Sequence, residues 1–140
     1  NLIKYFGLEE NVDLLGVVSP DEVAQLMQES YCFVQHSITA ESGDQEGTPL
    51  AVLESALSGL PVVSTYHAGI PDVIEHGKTG LLSDEHDVDA LANNLISIFD
   101  NVDYAKQLGQ RAREEHIKKF SLERHISSLE ETLHNAMNKN

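Results

Sequence analysis

The chain has 140 residues, 41% of them hydrophobic and 23% charged, which suffices for one domain with its own core and is too short for two ordinary ones. Nine Lys and Arg against 23 Asp and Glu give a net charge of -14, a balance that repels a phosphate backbone and argues against nucleic acid as a partner. The longest apolar runs are four residues, as from Leu50 to Leu53, far below the roughly 18 that a transmembrane segment needs.

In chain order, Asn1-Leu2-Ile3-Lys4 shows neither an initiator Met nor a signal pattern, so the expectation is a piece of a longer protein. The β-rich run Val12 to Val18 reads as a buried strand. Ser19-Pro20-Asp21-Glu22 is a capping box with Pro at the first helical position, and it opens an amphipathic helix through Met27. Tyr31 to Gln35 reads as the next buried strand. It contains the single cysteine, Cys32, which can form no intrachain disulfide, in keeping with a reducing compartment.

Thr48 as N-cap, Pro49 at N1 and an apolar stripe at Leu53, Ala56, Leu57 and Leu60 predict a helix over about 49–58, closed by Gly59 and Pro61. A strand at 61–65, a short helix from Pro71 to His76 stopped by Gly77, and a strand at 80–82 follow. Strands alternating with ten-residue helices predict an α/β fold, a Rossmann-like open parallel sheet with flanking helices. Beyond residue 86 the pattern is helical only, with Val88, Leu91, Leu95 and Ile98 on one stripe and Tyr104, Leu108 and Ala112 on another. Leu122, Ile126, Leu129, Leu133 and Met137 give 121–140 the spacing of a terminal amphipathic helix. No linker divides the chain, so 1–140 reads as one domain.

The stretch from Ser42 to Pro61 leaves a parallel strand, makes a polar glycine-bearing loop and enters a helix. In open α/β sheets ligands bind at that place, outside the carboxyl ends of the strands. Free backbone N–H groups at about Leu50 and Ala51 suit an anionic oxygen. Glu46 stands before the helix and Glu54 lies inside it, its side chain leaning back toward the mouth. Two carboxylates there suit hydroxyl donors, such as those of a sugar, while amides hold a phosphate. Spacing alone favours the plainer reading, with Glu54 a solvated residue beside Ser55 and Ser58 and Glu46 a loop charge near a helix N-terminus.

Glu46 and Glu54, with seven residues between them in E-G-x-P-x4-E-x-x-x-x-G-x-P-V-V, resemble the paired-glutamate signature of the retaining family 4, or group 1, glycosyltransferases of the GT-B fold. Val12 to Val18 is similar to that family's V-x-F-L-G-x-V strand, and Ala68 to Leu82 to its G-G-I-P-E-V-V-E-D-G-x-T-G-L-L segment. The resemblance covers about residues 5–125. It implies the C-terminal, donor-binding half of a GT-B enzyme lacking its first strands. It further implies that Glu46 approaches the hydroxyls of the donor sugar as the catalytic residue, with Gly47, Thr48, Pro49 and Leu50 lining sugar and phosphates. Glu54 would bind the ribose hydroxyls, and Val18 would lie by the base.

The partner so implied is a nucleotide-diphosphate sugar, used as substrate, with no cofactor, no metal and no protein nucleophile; the leaving diphosphate helps deprotonate the acceptor. An N-terminal domain that receives the acceptor is absent from the chain, and the sheet edge it leaves predicts self-association. The wording of Gly43 to Pro49 is most similar to enzymes of bacterial surface or exopolysaccharide assembly, which places the full protein in the cytoplasm or peripherally at the inner face of the membrane.

One departure is independent of the resemblance. Residues 5–77 hold twelve Asp or Glu and no Lys or Arg, whereas a departing diphosphate needs cationic stabilisation. This chain by itself is therefore expected to be inactive, and the alternative is a non-catalytic α/β interaction domain on the same scaffold. His67, Asp72, Glu75 and His76 match no strong metal-ligand spacing, and His67 reads as a surface imidazole, the alternative being that it faces the donor's phosphates.

Overall fold

The computed structural model describes residues 1–43 and 47–119, and beyond them only Ile126, Ser127, Glu130 and His134, which are helical and exposed. In chain order the elements are helix α1 (Leu2–Tyr5), helix α2 (Pro20–Glu29), strand β1 (Phe33–Val34), helix α3 (Leu50–Ser58), strand β2 (Val62–Thr65), helix α4 (Ile70–Val73), strand β3 (Gly80–Ser83), helix α5 (Val88–Asp100) and helix α6 (Val102–Lys119). The strands form one parallel sheet in the order β1-β2-β3, with Phe33 beside Val62 and Val63 beside Leu81. Apart from those four positions, the terminal helix expected from Ser121 lies outside the described residues, as does Glu46.

Local chemistry sets the helix ends. Ser19 Oγ accepts from the Glu22 amide at 3.3 Å while Glu22 Oε2 accepts from the Ser19 amide at 2.7 Å, closing the capping box, with Pro20 at N1. Glu22 thereby sits below its ordinary carboxylate pKa, chiefly through the Ser19 backbone bond. Helix α3 starts one residue later than its sequence suggests. Pro49 is itself the N-cap, in extended conformation and without a side-chain cap, because its carbonyl takes the first helical bonds from Val52 and Leu53. Gly59 closes α3 in the left-handed region at φ 81°, which glycine adopts without steric cost. Helix α4 is shorter than the expected Pro71 to His76. The Thr79 hydroxyl captures the Glu75 amide at 2.8 Å, the donor that a further turn would have required, and Ile74 leaves the helix in extended conformation, 1% exposed.

The expected strand over Val12 to Val18 does not form. Gly16 at φ 67° turns the chain out of any extended path, and no described strand lies beside the segment to complete a ladder. Its side chains up to Val17 stay in solvent, Leu14 at 79% and Val17 at 103% exposure, and only Val18 is half-buried. Elsewhere the alternation of the strands divides the core between two faces. Val62 and Leu82 pack on one side with Val52 and Ala56 of α3, Ile70 and Val73 of α4, and Ala112 of α6. Val63 and Leu81 pack on the other with Ile98 of α5 and with Ala105 and Leu108 of α6. Each such Val or Leu contributes about 1.5–3 kcal/mol on burial. The sheet is thus covered on both faces, and its carboxyl edge is left to loops.

Candidate functional site

Helices α2 and α3 enclose a cleft of about 530 Å³, lined by Val18, Pro20, Val23, Ala24 and Met27 on one wall and by Glu54, Leu57 and Ser58 on the other. Val18 and Glu54, 36 positions apart in the chain, line it together where α2 lies against α3, with Met27 Sδ 3.9 Å from Ser58 Oγ. Ser55 and Ser58 do not engage Glu54. The Ser55 hydroxyl donates to the Ala51 carbonyl at 2.7 Å, and Ser58 Oγ lies 3.9 Å from Met27 Sδ. The Glu54 side chain is exposed to the cleft, and among the described residues no side chain pairs with it. It stands one turn, about 6 Å of axial rise, inside the helix from Leu50, whose amide and that of Ala51 precede the first intrahelical donors at the open end.

The other residues singled out by sequence lie at that end. Leu50 is 72% exposed, Gly47 and Thr48 are exposed, and Pro49 is half-buried. Their loop rests on the turn after β2. The Gly69 amide donates to the Gly47 carbonyl at 3.3 Å, and a Cβ at Gly69 would collide with Thr48 Oγ1 and stand 3.3 Å from Thr48 Cα. Glu46 lies outside the described residues.

Three loops converge at the carboxyl edge of the sheet through Thr39, His67 and Glu85, of which the sequence had singled out only His67. Past β1 the chain stays tied to β2 by side chains: the Ser37 amide donates to Thr65 Oγ1, and that hydroxyl donates to the Ser37 carbonyl at 2.6 Å. Two residues after β3, Glu85 accepts from the Thr39 amide at 2.7 Å, from the Thr39 hydroxyl at 3.1 Å, and meets His67 Nδ1 at 2.7 Å. His67 is therefore no surface imidazole; it is 1% exposed. The signal available in sequence was a polar residue shortly after each strand, at Thr39, His67 and Glu85, which by itself does not reveal that the three touch.

The Thr39 amide first, and then His67, hold the Glu85 carboxyl down at about 2, against an ordinary 4.5. It is ionised at neutral pH, so the proton shared with His67 sits on Nδ1. A carboxyl whose folded pKa is depressed stabilises the fold above its unfolded pKa and loses that contribution as pH falls toward the folded one. The expected result is that the stability excess of the unsubstituted chain over Glu85→Gln is full above pH 5, shrinks below about pH 4.5 and vanishes near pH 2. Thermal unfolding midpoints of both proteins across that range check it; an excess independent of pH would contradict it.

The residues weighed as a metal set go separate ways. His67 faces Glu85, His76 Nδ1 accepts from the Leu82 amide at 2.9 Å, and Glu75 pairs with Lys78 at 3.0 Å. Among the described residues no three His, Cys, Asp or Glu side chains converge, and no helix is long and apolar enough to cross a membrane.

Residues 1–115 match the family described as Glycosyl transferases group 1. The chain is 36% identical over 137 residues to WcaL of Salmonella typhimurium, named for colanic acid biosynthesis and glycosyl transfer, covering 94% of this chain and 34% of that protein. It is 43% identical over 91 residues to the amylovoran biosynthesis glycosyltransferase AmsK of Erwinia amylovora, 65% of this chain and 22% of that one. Its structure superposes on Anabaena HepE, crystallised in complex with UDP and glucose, with a TM-score of 0.80 and 26% identity, covering 95% of this chain and 34% of that chain. The chain thus spans about a third or less of the length of these relatives.

Proposed function

The chain belongs to the group 1 glycosyl transferases, and from that premise we propose that it binds the nucleotide-diphosphate sugar of a retaining glycosyl transfer. The observation that carries this reading is the cleft along α3 that has Val18 on one wall and Glu54 on the other, Glu54 standing one helical turn in from the open end at Leu50. The base lies against Val18 and the apolar wall of α2. An ionised carboxylate only accepts hydrogen bonds, so Glu54 suits the paired hydroxyls of a ribose. The diphosphate follows toward the Leu50 and Ala51 amides, where the helix terminus favours negative charge. Pro49 has no N–H and shapes this mouth without donating.

Beyond the diphosphate, the sugar reaches Gly47 and Thr48, and Glu46 approaches its hydroxyls as the catalytic residue. The departing diphosphate deprotonates the acceptor, with no protein nucleophile, metal or other cofactor. An N-terminal acceptor domain supplies the rest of the active cleft, and the β1 edge of the sheet, where Val34 is 44% exposed, favours self-association of this chain alone. WcaL and AmsK are named for colanic acid and amylovoran biosynthesis, which supports a place in bacterial polysaccharide assembly, in the cytoplasm or at the inner face of the membrane.

Saturation-transfer NMR of UDP-, GDP- and ADP-sugars against the chain and against Glu54→Ala tests the placement. The substitution should abolish transfer to the ribose protons and weaken binding about 10- to 100-fold, the worth of hydrogen bonds to a charged group. Equal ribose transfer in both proteins would overturn it.

A further inference from the structure

The His67–Glu85 pair, its imidazole buried and its carboxylate half-buried, lies outside the cleft between α2 and α3, yet it is joined to the donor loop through one turn of backbone. His67 is followed by Ala68, which holds φ 44° without being glycine, a conformation that persists only where neighbours enforce it. The backbone around it is held by Ile70 N donating to the His67 carbonyl at 3.0 Å and by His67 N donating to Thr65 at 2.8 Å. The side chain is held by Glu85, itself fixed to Thr39 in the loop after β1. Gly69, next in the chain, carries the Gly47 carbonyl on its amide and has Thr48 packed where its Cβ would be. A displacement of His67 therefore passes to Gly47 and Thr48 with little room to dissipate.

We propose that His67 is a positioning residue for the sugar end of the donor site, pinned by Glu85 and acting through the Ala68–Gly69 turn on the Gly47–Thr48 loop. The inference rests on the donor-site reading above and deepens it. Glu54 and Val18, assigned above to the nucleoside, line the cleft between α2 and α3, and among the described residues neither bonds to this network. Loss of the His67–Glu85 bond should accordingly weaken the hold on the sugar and leave the hold on the nucleoside diphosphate intact.

The test uses the whole chain, with UDP and UDP-glucose, GDP and GDP-mannose, and ADP and ADP-glucose as probes, and reads the ratio of nucleotide to nucleotide-sugar dissociation constants. His67→Leu removes the bond, His67→Asn restores a donor near the Nδ1 position, and Glu85→Gln removes the charge while keeping an acceptor. In the best-bound pair the ratio should fall about tenfold in His67→Leu and several-fold in Glu85→Gln, and return to within about twofold in His67→Asn. The amide resonances of Gly47, Thr48 and Gly69 in the free chain should shift in His67→Leu and Glu85→Gln and not in His67→Asn. If His67→Leu does not fold, Glu85→Gln carries the same ratio test. An unchanged ratio in the folded variants, or equal losses for nucleotide and nucleotide-sugar, overturns the inference alone. Absence of binding by the unsubstituted chain overturns the donor-site reading together with it.

Discussion

Replacing Gly109 by Ala should destabilise the chain by about 3 kcal/mol, although Ala in a helix interior is ordinarily favoured over Gly by about 1 kcal/mol. The sign reverses because Gly109 is where α6 crosses the end of α3. A Cβ there would fall inside the carbonyl oxygen of Gly59, 2.8 Å from its carbon and 3.2 Å from the Leu60 carbonyl carbon. Those are backbone atoms of a closed cap, with Gly59 N bonded to Ala56 O at 3.0 Å and Leu60 N to Ser55 O at 3.1 Å, so no rotamer change relieves the collision. The helix must move away, opening space around Leu108 and Ala112, both fully buried. Urea unfolding of Gly109→Ala should show a lower midpoint with an unchanged slope. Gln110→Ala, exposed on the same helix, should stay within about 0.5 kcal/mol. A Gly109→Ala protein as stable as the parent would contradict the close approach of α3 and α6.

What the sequence disclosed, and what it did not, follows from the range of the forces involved. The capping box at Ser19 and the left-handed Gly59 are decided within four or five residues, and both stand where their local chemistry places them. Val62 and Val63 read as buried on two faces because a parallel strand covered by helices carries no polar alternation, and the two residues enter opposite cores. Val12 to Val18 carries the same kind of composition and forms no strand, since β propensity is realised only against a neighbour and Gly16 turns away at φ 67°. The family resemblance was legible through motifs spread over most of the chain, and residues 1–115 match that family. Within the candidate site, Glu54 was readable from its helix position, whereas its meeting with Val18 depends on how α2 packs. The His67–Glu85–Thr39 contacts join residues 18 and 46 positions apart, beyond any periodicity, which is why an imidazole assigned to the surface is instead buried.

This chain by itself should bind a nucleotide-sugar and release no nucleoside diphosphate above the spontaneous rate. The departing diphosphate gains negative charge in the transition state, and donors that meet that charge are worth on the order of a hundred- to a thousandfold in rate each. Four of the seven Lys and Arg among the described residues are held elsewhere. Lys78 Nζ sits between Glu75 at 3.0 Å and Glu115 at 2.9 Å, and Lys119 Nζ donates to the Asp72 carbonyl at 2.7 Å. Lys106 lines the hollow at Gly59, and the Arg113 side chain lies against that same glycine. Gly59 marks the far end of α3, nine residues and about 13 Å from the helix mouth. The amides of Leu50 and Ala51 can hold a ground-state phosphate, but fixed partial charges of one helix end supply only about half a unit. Binding without turnover is the consequence. Phosphorus NMR of UDP-glucose, GDP-mannose and ADP-glucose incubated with the chain over hours checks it, and steady accumulation of any nucleoside diphosphate above a protein-free control would refute it. The same comparison made on a longer protein containing this chain separates the two readings of the scaffold. Turnover there would mean that the missing cations come from outside the described residues, and tight binding with continued silence would mark an interaction domain that kept the cleft and lost the chemistry.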